Sequence, residues 1–211
     1  GGGFGSKIFV YAEEVICTWA AKKVRRPVKW TAERSESFLS DAHGRDHVTK
    51  AEMALDANGK ILGFHIKTTA NLGAYMSTFA SSVPTYLYGT LLSGQYNIPA
   101  IYCEVDGVYT NTAPVDAYRG AGRPDIAYAI ERLVDFAAHE HGFDPVALRR
   151  KNFIAESAFP YKTANGSTID TCLSEKLLDR ALALSHYATF EERRAQSLSQ
   201  GKFRGIGLST F

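Results

Sequence analysis

Two glycine-rich segments carry the residue types that could do chemistry: Gly1-Gly2-Gly3-Phe4-Gly5-Ser6-Lys7, and Ala117-Tyr118-Arg119-Gly120-Ala121-Gly122-Arg123. Glycine admits backbone conformations with positive φ and lets main-chain N–H groups come close to a ligand. A helix N-terminus behind such a loop adds a partial positive charge that favours oxyanions. In the second loop Arg119 and Arg123 add planar guanidinium forks suited to bidentate contact with phosphate. Two loops of this kind, each expected to feed a helix, suit the grip of a large anionic cofactor. The plainer alternative is a pair of tight turns before helices. Neither common phosphate motif is present. A P-loop places Lys before Ser/Thr, whereas Ser6 precedes Lys7, and Ser6 also occupies the third glycine position of a dinucleotide fingerprint.

Other candidates carry weaker signals. His43 and His47 stand four apart beside Asp41 and Asp46, a metal spacing on a helix, but Gly44 between them argues for a loop. Glu13 and Glu14 follow the first loop and read as helix-face residues. Lys22-Lys23-Val24-Arg25-Arg26 could touch an acidic partner, or complement a helix C-terminus as a solvated run. His139 and His141 suit the C-terminal end of a helix. The aromatics Tyr75, Phe79, Tyr86, Tyr88 and Tyr96 could line a substrate funnel or form core. Asn165-Gly166-Ser167 fits a glycosylation acceptor, which has no meaning in a cytoplasmic protein.

The elements that position these residues follow from periodicity. Ile8 to Val24 reads as a helix with Tyr11, Val15 and Trp19 on one face. Pro27 to Thr31 reads as a strand and Glu33 to Leu39 as a short helix. Val48 to Leu55, the Asn58-Gly59 turn and the returning Leu62, Phe64, Ile66 and Thr68 predict a hairpin. Gly73 to Thr110 is irregular until a strand from Ile101. Pro124 opens a helix whose inner face is Ile126, Ile130, Leu133, Val134 and Ala137, ending before Gly142. Asp144-Pro145 starts another. Phe159 to Thr171 is turn-rich, Leu173 to Leu184 helical and Gly205 to Phe211 extended. Strands and helices mix without strict alternation, so the fold class is α+β, with mixed sheets and helices.

Composition bounds the rest. The 211 residues are 45% hydrophobic and 22% charged, which excludes disorder and collagen-like repeats, and a net charge of +2 gives no electrostatic footprint for nucleic acid. No apolar run approaches the ~18 residues of a membrane span. Cys17, Cys103 and Cys172 are scattered, with no CxxC pair, which favours a reducing, cytoplasmic setting.

The two loops resemble those of the large subunit of molybdenum hydroxylases, the group that includes xanthine dehydrogenase, aldehyde oxidoreductases and aerobic carbon monoxide dehydrogenase. Arg149-Arg150-Lys151-Asn152 and Gly201-Lys202-Phe203-Arg204-Gly205-Ile206-Gly207 look like the same family, so the resemblance covers nearly the whole chain. Ala117 to Arg123 is similar to the second form of the carbon monoxide dehydrogenase large subunit. The resemblance implies an internal piece of an oxidoreductase subunit, with residues 1–153 in a first molybdopterin-binding domain and 154–211 beginning a second. It implies a molybdopterin, as the cytosine dinucleotide, bound by Gly2, Gly3, Phe4, Gly5, Arg119, Gly120, Ala121 and Gly122. Phe4 and Arg119 would lie near molybdenum. FAD and 2Fe–2S clusters would sit on a medium and a small partner subunit, in a dimer of heterotrimers.

By the same resemblance, oxygen from molybdenum-bound hydroxide attacks an electron-poor carbon, assisted by a glutamate base that lies beyond Phe211; the piece alone is therefore expected to be inactive. The departures are informative. First-form carbon monoxide dehydrogenase has Cys-Ser-Phe where this chain has Gly120-Ala121-Gly122, so the thiolate for copper is missing and copper is not expected. Purine-oxidising members carry Glu where Ile8 stands and Phe where Ala121 stands. The small residues leave room for an organic substrate, an aldehyde or an N-heterocycle. The alternative from another class is a non-catalytic module that holds a nucleotide or phosphate on its glycine loops.

Overall fold

The computed structural model describes Gly2–Phe211; Gly1 of the first loop lies outside the described residues. Six α-helices and five strands are formed among the described residues. In order they are α1 (Ala12–Val24), α2 (Arg34–Ser40), β1 (His47–Leu55), β2 (Ile61–Asn71), β3 (Ile101–Val108), α3 (Arg123–His141), α4 (Pro145–Asn152), β4 (Tyr161–Lys162), β5 (Thr168–Ile169), α5 (Ser174–Leu184) and α6 (Phe190–Ser199). The long strands order as β1-β2-β3, and β4 pairs antiparallel with β5. This is the α+β class expected. The chain divides into two compact units. One comprises the residues up to Lys50, Ile66–Gly89 and Cys103–Asp125; the other comprises Ala51–His65, Thr90–Tyr102 and Ile126–Phe211.

In the first unit, β2 alternates as the hairpin pattern requires: Ile66, Thr68 and Ala70 are buried, Lys67 and Thr69 exposed. The inward Thr68 hydroxyl shares hydrogen bonds with Thr49 (2.9 Å) and with the buried Tyr88 (3.1 Å). At the end of β2, Asn71 acts as a hub. Its Nδ2 donates to Asp46 Oδ2 (2.7 Å) and Thr112 Oγ1 (3.0 Å), and its Oδ1 accepts from Gly73 N (2.7 Å) and the Thr110 hydroxyl (2.7 Å). His47 packs edge-on against Tyr88 and lies 3.7 Å from Asp125, in a pocket where its Nδ1 has no hydrogen-bond partner. Burial lowers the His47 pKa from 6.5, outweighing the pull of Asp125 and Asp46.

The second unit is organised around a buried ion pair that the sequence does not announce. Helix α3 turns Ile126, Ile130, Val134 and Ala137 inward as expected, Leu133 stays half-buried against expectation, and Glu131 goes in with them. Glu131 Oε2 accepts from Arg149 Nε at 2.9 Å, and Arg149 is wholly buried at 0% exposure. The remaining valences are met. Arg149 Nη2 donates to Asp135 (2.8 Å) and to the Leu208 carbonyl (3.0 Å), while Glu131 accepts from the Tyr96 hydroxyl (2.5 Å) and Thr210 N (2.8 Å). Burial, reinforced by the charge of Glu131, pushes the Tyr96 phenol far above its usual range, so it stays a donor. Helix α4 starts as predicted, with Asp144 Oδ1 accepting from Ala147 N (2.7 Å) and Pro145 following. Asn152 at its end pins the β1–β2 turn, accepting from Ile61 N (2.8 Å) and donating to the Gly59 carbonyl (2.8 Å).

Several expectations need correction. Helix α1 begins at Ala12, not Ile8, because Lys7 N and Ile8 N bond back to Gly3 O (3.2 Å) and Gly5 O (3.1 Å). Glu14 is more than a face residue: its carboxylate accepts from Tyr11 N (2.9 Å) and caps the helix. The face Val15 to Trp19 is not buried; no residue of α1 is, and Trp19 is 59% exposed. Pro27–Thr31 and Gly205–Phe211 are not strands, since neither finds a ladder partner among the described residues. Leu62 faces out because the alternation slips at Leu62-Gly63, with Ile61 and Phe64 both inward. The aromatic set splits: Tyr88 and Tyr96 are core, Tyr75 and Tyr86 surface. Helix α6 carries too few apolar residues to show a period.

Breaking one side of a buried, hydrogen-bonded pair leaves an uncompensated charge. Arg149→Met should lower unfolding stability by about 3–5 kcal/mol in urea denaturation followed by circular dichroism. Burial holds the His47 pKa below its ordinary 6.5 in the folded chain, while the unfolded chain titrates at the ordinary value. Stability should therefore fall as pH drops below 6.5, where the unfolded chain takes up the proton first. His47→Gln should flatten that decline in denaturation midpoints measured across pH.

Candidate functional site

The two glycine loops, far apart in sequence, lie against each other in the first unit. Arg119 N donates to the Phe4 carbonyl at 2.9 Å, and the Arg119 guanidinium stands 5.9 Å from the centre of the Phe4 ring. The approach needs glycine at position 5: a Cβ there would lie 2.0 Å from the Ala117 carbonyl oxygen, and the residue has φ 101°. Every site residue of the second loop past Arg119 is also left-handed, with φ of 102° at Gly120, 41° at Ala121 and 91° at Gly122. A Cβ on Gly120 would sit 2.6 Å from the Pro124 ring, and one on Gly122 would sit 3.0 Å from Tyr88 N. The turn closes through Ala121 N to Tyr118 O (2.8 Å) and Arg123 N to Gly120 O (3.1 Å), delivering the chain into α3.

The first loop does not feed a helix directly. Six residues separate Gly5 from Ala12, so the expected dipole contribution at this loop is replaced by turns at Gly3–Ile8 and a Tyr11 hydroxyl bond to Ser6 O (2.6 Å). Phe4 itself is left-handed at φ 53° and 58% exposed, a strained and accessible position for a bulky residue. Gly3 differs from its neighbours. A Cβ there would meet nothing within 4 Å, so no local contact in the chain requires glycine.

Gly2, Gly3, Phe4, Arg119 and Gly120 form an exposed group, with Gly5 and Ala121 half-buried and Gly122 buried beneath. Among the described residues neither Arg119 nor Arg123 has a carboxylate partner, which leaves two exposed guanidiniums at the second loop. Exposed glycine backbone, an open Cβ position and free cations together fit a large anionic group.

Sequence reasoning missed the supports. Asp116 is buried and accepts from Phe79 N (3.0 Å). The His43–Arg45 segment runs alongside the second loop: His43 N bonds Pro114 O (3.1 Å), Asp116 N bonds His43 O (2.8 Å), and His43 pairs with Val115 in a parallel bridge. His43 and His47 therefore serve the loop and the core rather than one another, and no group of three His, Cys, Asp or Glu is arranged for a metal among the described residues. The three cysteines are unpaired and lie outside both loops; burial pushes the Cys103 thiol up. The legible signal in the His43–His47 stretch was Gly44, whose place between the two histidines argues for a loop.

A family model described as a molybdopterin cofactor-binding domain matches residues 1–153. The carbon monoxide dehydrogenase large chain of Hydrogenophaga pseudoflava is 36% identical over all of this chain and 27% of its own length. The nicotine 6-hydroxylase large subunit of Paenarthrobacter nicotinovorans is 30% identical over all of this chain and 26% of its own. Among solved structures, quinoline 2-oxidoreductase from Pseudomonas putida 86 superposes with a TM-score of 0.88 at 29% identity, over 95% of this chain and 26% of that one. The chain thus spans about a quarter of these relatives' length.

The loop geometry separates glycines that the fold requires from one that it does not. Gly5→Ala and Gly122→Ala should each lower stability by at least about 1–2 kcal/mol, for the left-handed backbone alone. Gly3→Ala should leave the urea midpoint unchanged. Denaturation of the three variants side by side checks both expectations.

Proposed function

The chain belongs to the molybdopterin cofactor-binding domain family, with molybdenum hydroxylase large subunits as its relatives, and on that premise we propose that the full-length subunit hydroxylates an N-heterocycle or an aldehyde. The observation that carries the reading is the docking of the two loops, with Arg119 N held by Phe4 O at 2.9 Å. That contact brings Gly2, Gly3, Phe4 and Gly5 together with Arg119, Gly120, Ala121 and Gly122 as one binding surface. The cofactor is a molybdopterin in its cytosine dinucleotide form, whose phosphates suit exposed glycine N–H groups and unpaired guanidiniums. Open space at the Gly3 Cβ position leaves that backbone accessible to a bound group. Bound molybdenum supplies oxygen-atom transfer and accepts the two electrons of substrate oxidation.

The roles of the chain's own residues rest on the family resemblance, and the loop docking supports them. Phe4 and Arg119 would lie near molybdenum, Phe4 with its left-handed backbone and Arg119 with its N–H held by the Phe4 carbonyl. The small residues Gly120 and Ala121 would leave room above the site. None of Gly120, Ala121 and Gly122 offers a thiolate, the ligand that soft Cu(I) requires. The substrate is therefore an organic molecule with an electron-poor carbon, in line with the nicotine 6-hydroxylase and quinoline 2-oxidoreductase relatives. Residues 1–153 belong to the first cofactor-binding domain and 154–211 begin the second. A medium FAD subunit and a small 2Fe–2S subunit take the electrons, in a cytoplasmic dimer of heterotrimers.

Metal analysis of the intact complex should find molybdenum without matching copper. Copper equal to molybdenum would overturn the organic-substrate reading, and absence of molybdenum would leave the non-catalytic phosphate-binding alternative. Turnover should appear with N-heterocycles or aldehydes and not with carbon monoxide. Gly3→Ala, neutral for folding, should reduce molybdenum retained per subunit.

A further inference from the structure

We infer that Arg45 is the positioning residue for Arg119, holding the second glycine loop in its cofactor-facing shape. The inference rests on the functional reading above for what the loop faces, and on the structure alone for how the loop is held. Arg45 lies in the Asp41–His47 stretch, whose histidine spacing suggested a metal. The structure gives that stretch a different task.

Arg45 makes two contacts to the loop and one to the helix behind it. Its Nη2 donates to the carbonyl of Arg119. Its guanidinium lies over the Tyr118 ring, 4.8 Å from the centre. Its Nε faces Asp125 Oδ2 at 3.7 Å, too long for a hydrogen bond but close enough to brace the charge. Residue 119 is thereby held at both ends of its backbone, by Phe4 O at the N–H and by Arg45 at the carbonyl. Its side chain is left without a carboxylate partner among the described residues.

The approach is built in. Arg45 has φ 65°, a left-handed conformation that costs a non-glycine residue about 1–2 kcal/mol. The residue before it must be glycine, since a Cβ on Gly44 would fall 2.3 Å from Tyr118 Cβ. Below them the hydrogen bonds of His43 with Pro114 and Asp116 fix the register of the two segments. An arginine that only paired with Asp125 would need none of this.

Lysine cannot replace the function, because a point charge cannot cap a carbonyl, lie flat on a ring and face a carboxylate at once. Arginine also adds positive charge beside Arg119 and Arg123, with Asp125 offsetting part of it.

The test uses the full-length subunit in its native complex, as Arg45→Met and Arg45→Lys. Hydrogen–deuterium exchange should rise at residues 117–122 in both variants and stay unchanged over α3 beyond Ile126. Where molybdenum is bound, the Mo(V) electron paramagnetic resonance signal should shift or split. kcat should fall about tenfold or more, with a smaller change in KM, as expected for misplacement at a reacting centre. Arg45→Lys keeps the charge and most of the stem, so it decides the matter if Arg45→Met does not fold. Wild-type exchange at 117–122 together with a wild-type Mo(V) signal in Arg45→Lys would overturn the inference. A wild-type complex lacking molybdenum would overturn the functional reading instead, while the exchange at 117–122 would still judge the clamp.

Discussion

One main-chain hydrogen bond, from Arg119 N to the Phe4 carbonyl, ties the first unit's two loops into a single surface. Most peculiarities of the surrounding sequence answer to it. Backbones can meet at this distance only if position 5 has no Cβ, and the strand of residues beyond Arg119 must then turn back through three consecutive left-handed conformations before α3 can begin. Left-handed backbone is costly for any residue with a side chain, which explains two glycines there and the smallest alternative, alanine, between them. The buried Asp116 and the His43–Arg45 segment supply the outside bracing that such a loop cannot supply for itself.

The second unit obeys a different constraint. Its polar core is an ionic network in which each buried donor and acceptor of Glu131 and Arg149 finds a partner, including backbone from Pro145 and Leu208. Such a network contributes little net stability over an apolar core, but breaking it from one side leaves a buried charge uncompensated. Thr210, from a segment without regular structure, is fixed in place by Glu131 (2.8 Å to its N) rather than by a ladder. Specific pairing substitutes here for secondary structure.

Local signals were legible wherever the chain's own neighbours decide the outcome. The Asp144-Pro145 start of α4, the Asn58-Gly59 turn and the inner face of α3 are all set by nearby residues, and all but the half-buried Leu133 are as the periodicity requires. What escaped were long-range partnerships. Glu131 looks like a solvent-facing helix residue until Arg149 is brought to it, and Arg45 looks like one member of a polar turn until Arg119 arrives. The start of α1 escaped for the same reason, because bonds back to Gly3 and Gly5 hold Lys7 and Ile8 out of the helix. The glycine loops themselves were evident, but their contact was not: residue type announces a permissive backbone, whereas the partner it approaches depends on the whole unit.

The exposure of α1 has an optical consequence. The chain contains two tryptophans, and both are on the surface: Trp19 on α1 at 59% and Trp30 at 44%. Lys23 stands 4.9 Å above the Trp19 ring. Indole emission from this protein is therefore a reporter on the arm around residues 12–30 and whatever surrounds it. The interiors are followed more directly through backbone ellipticity or the buried Tyr88 and Tyr96.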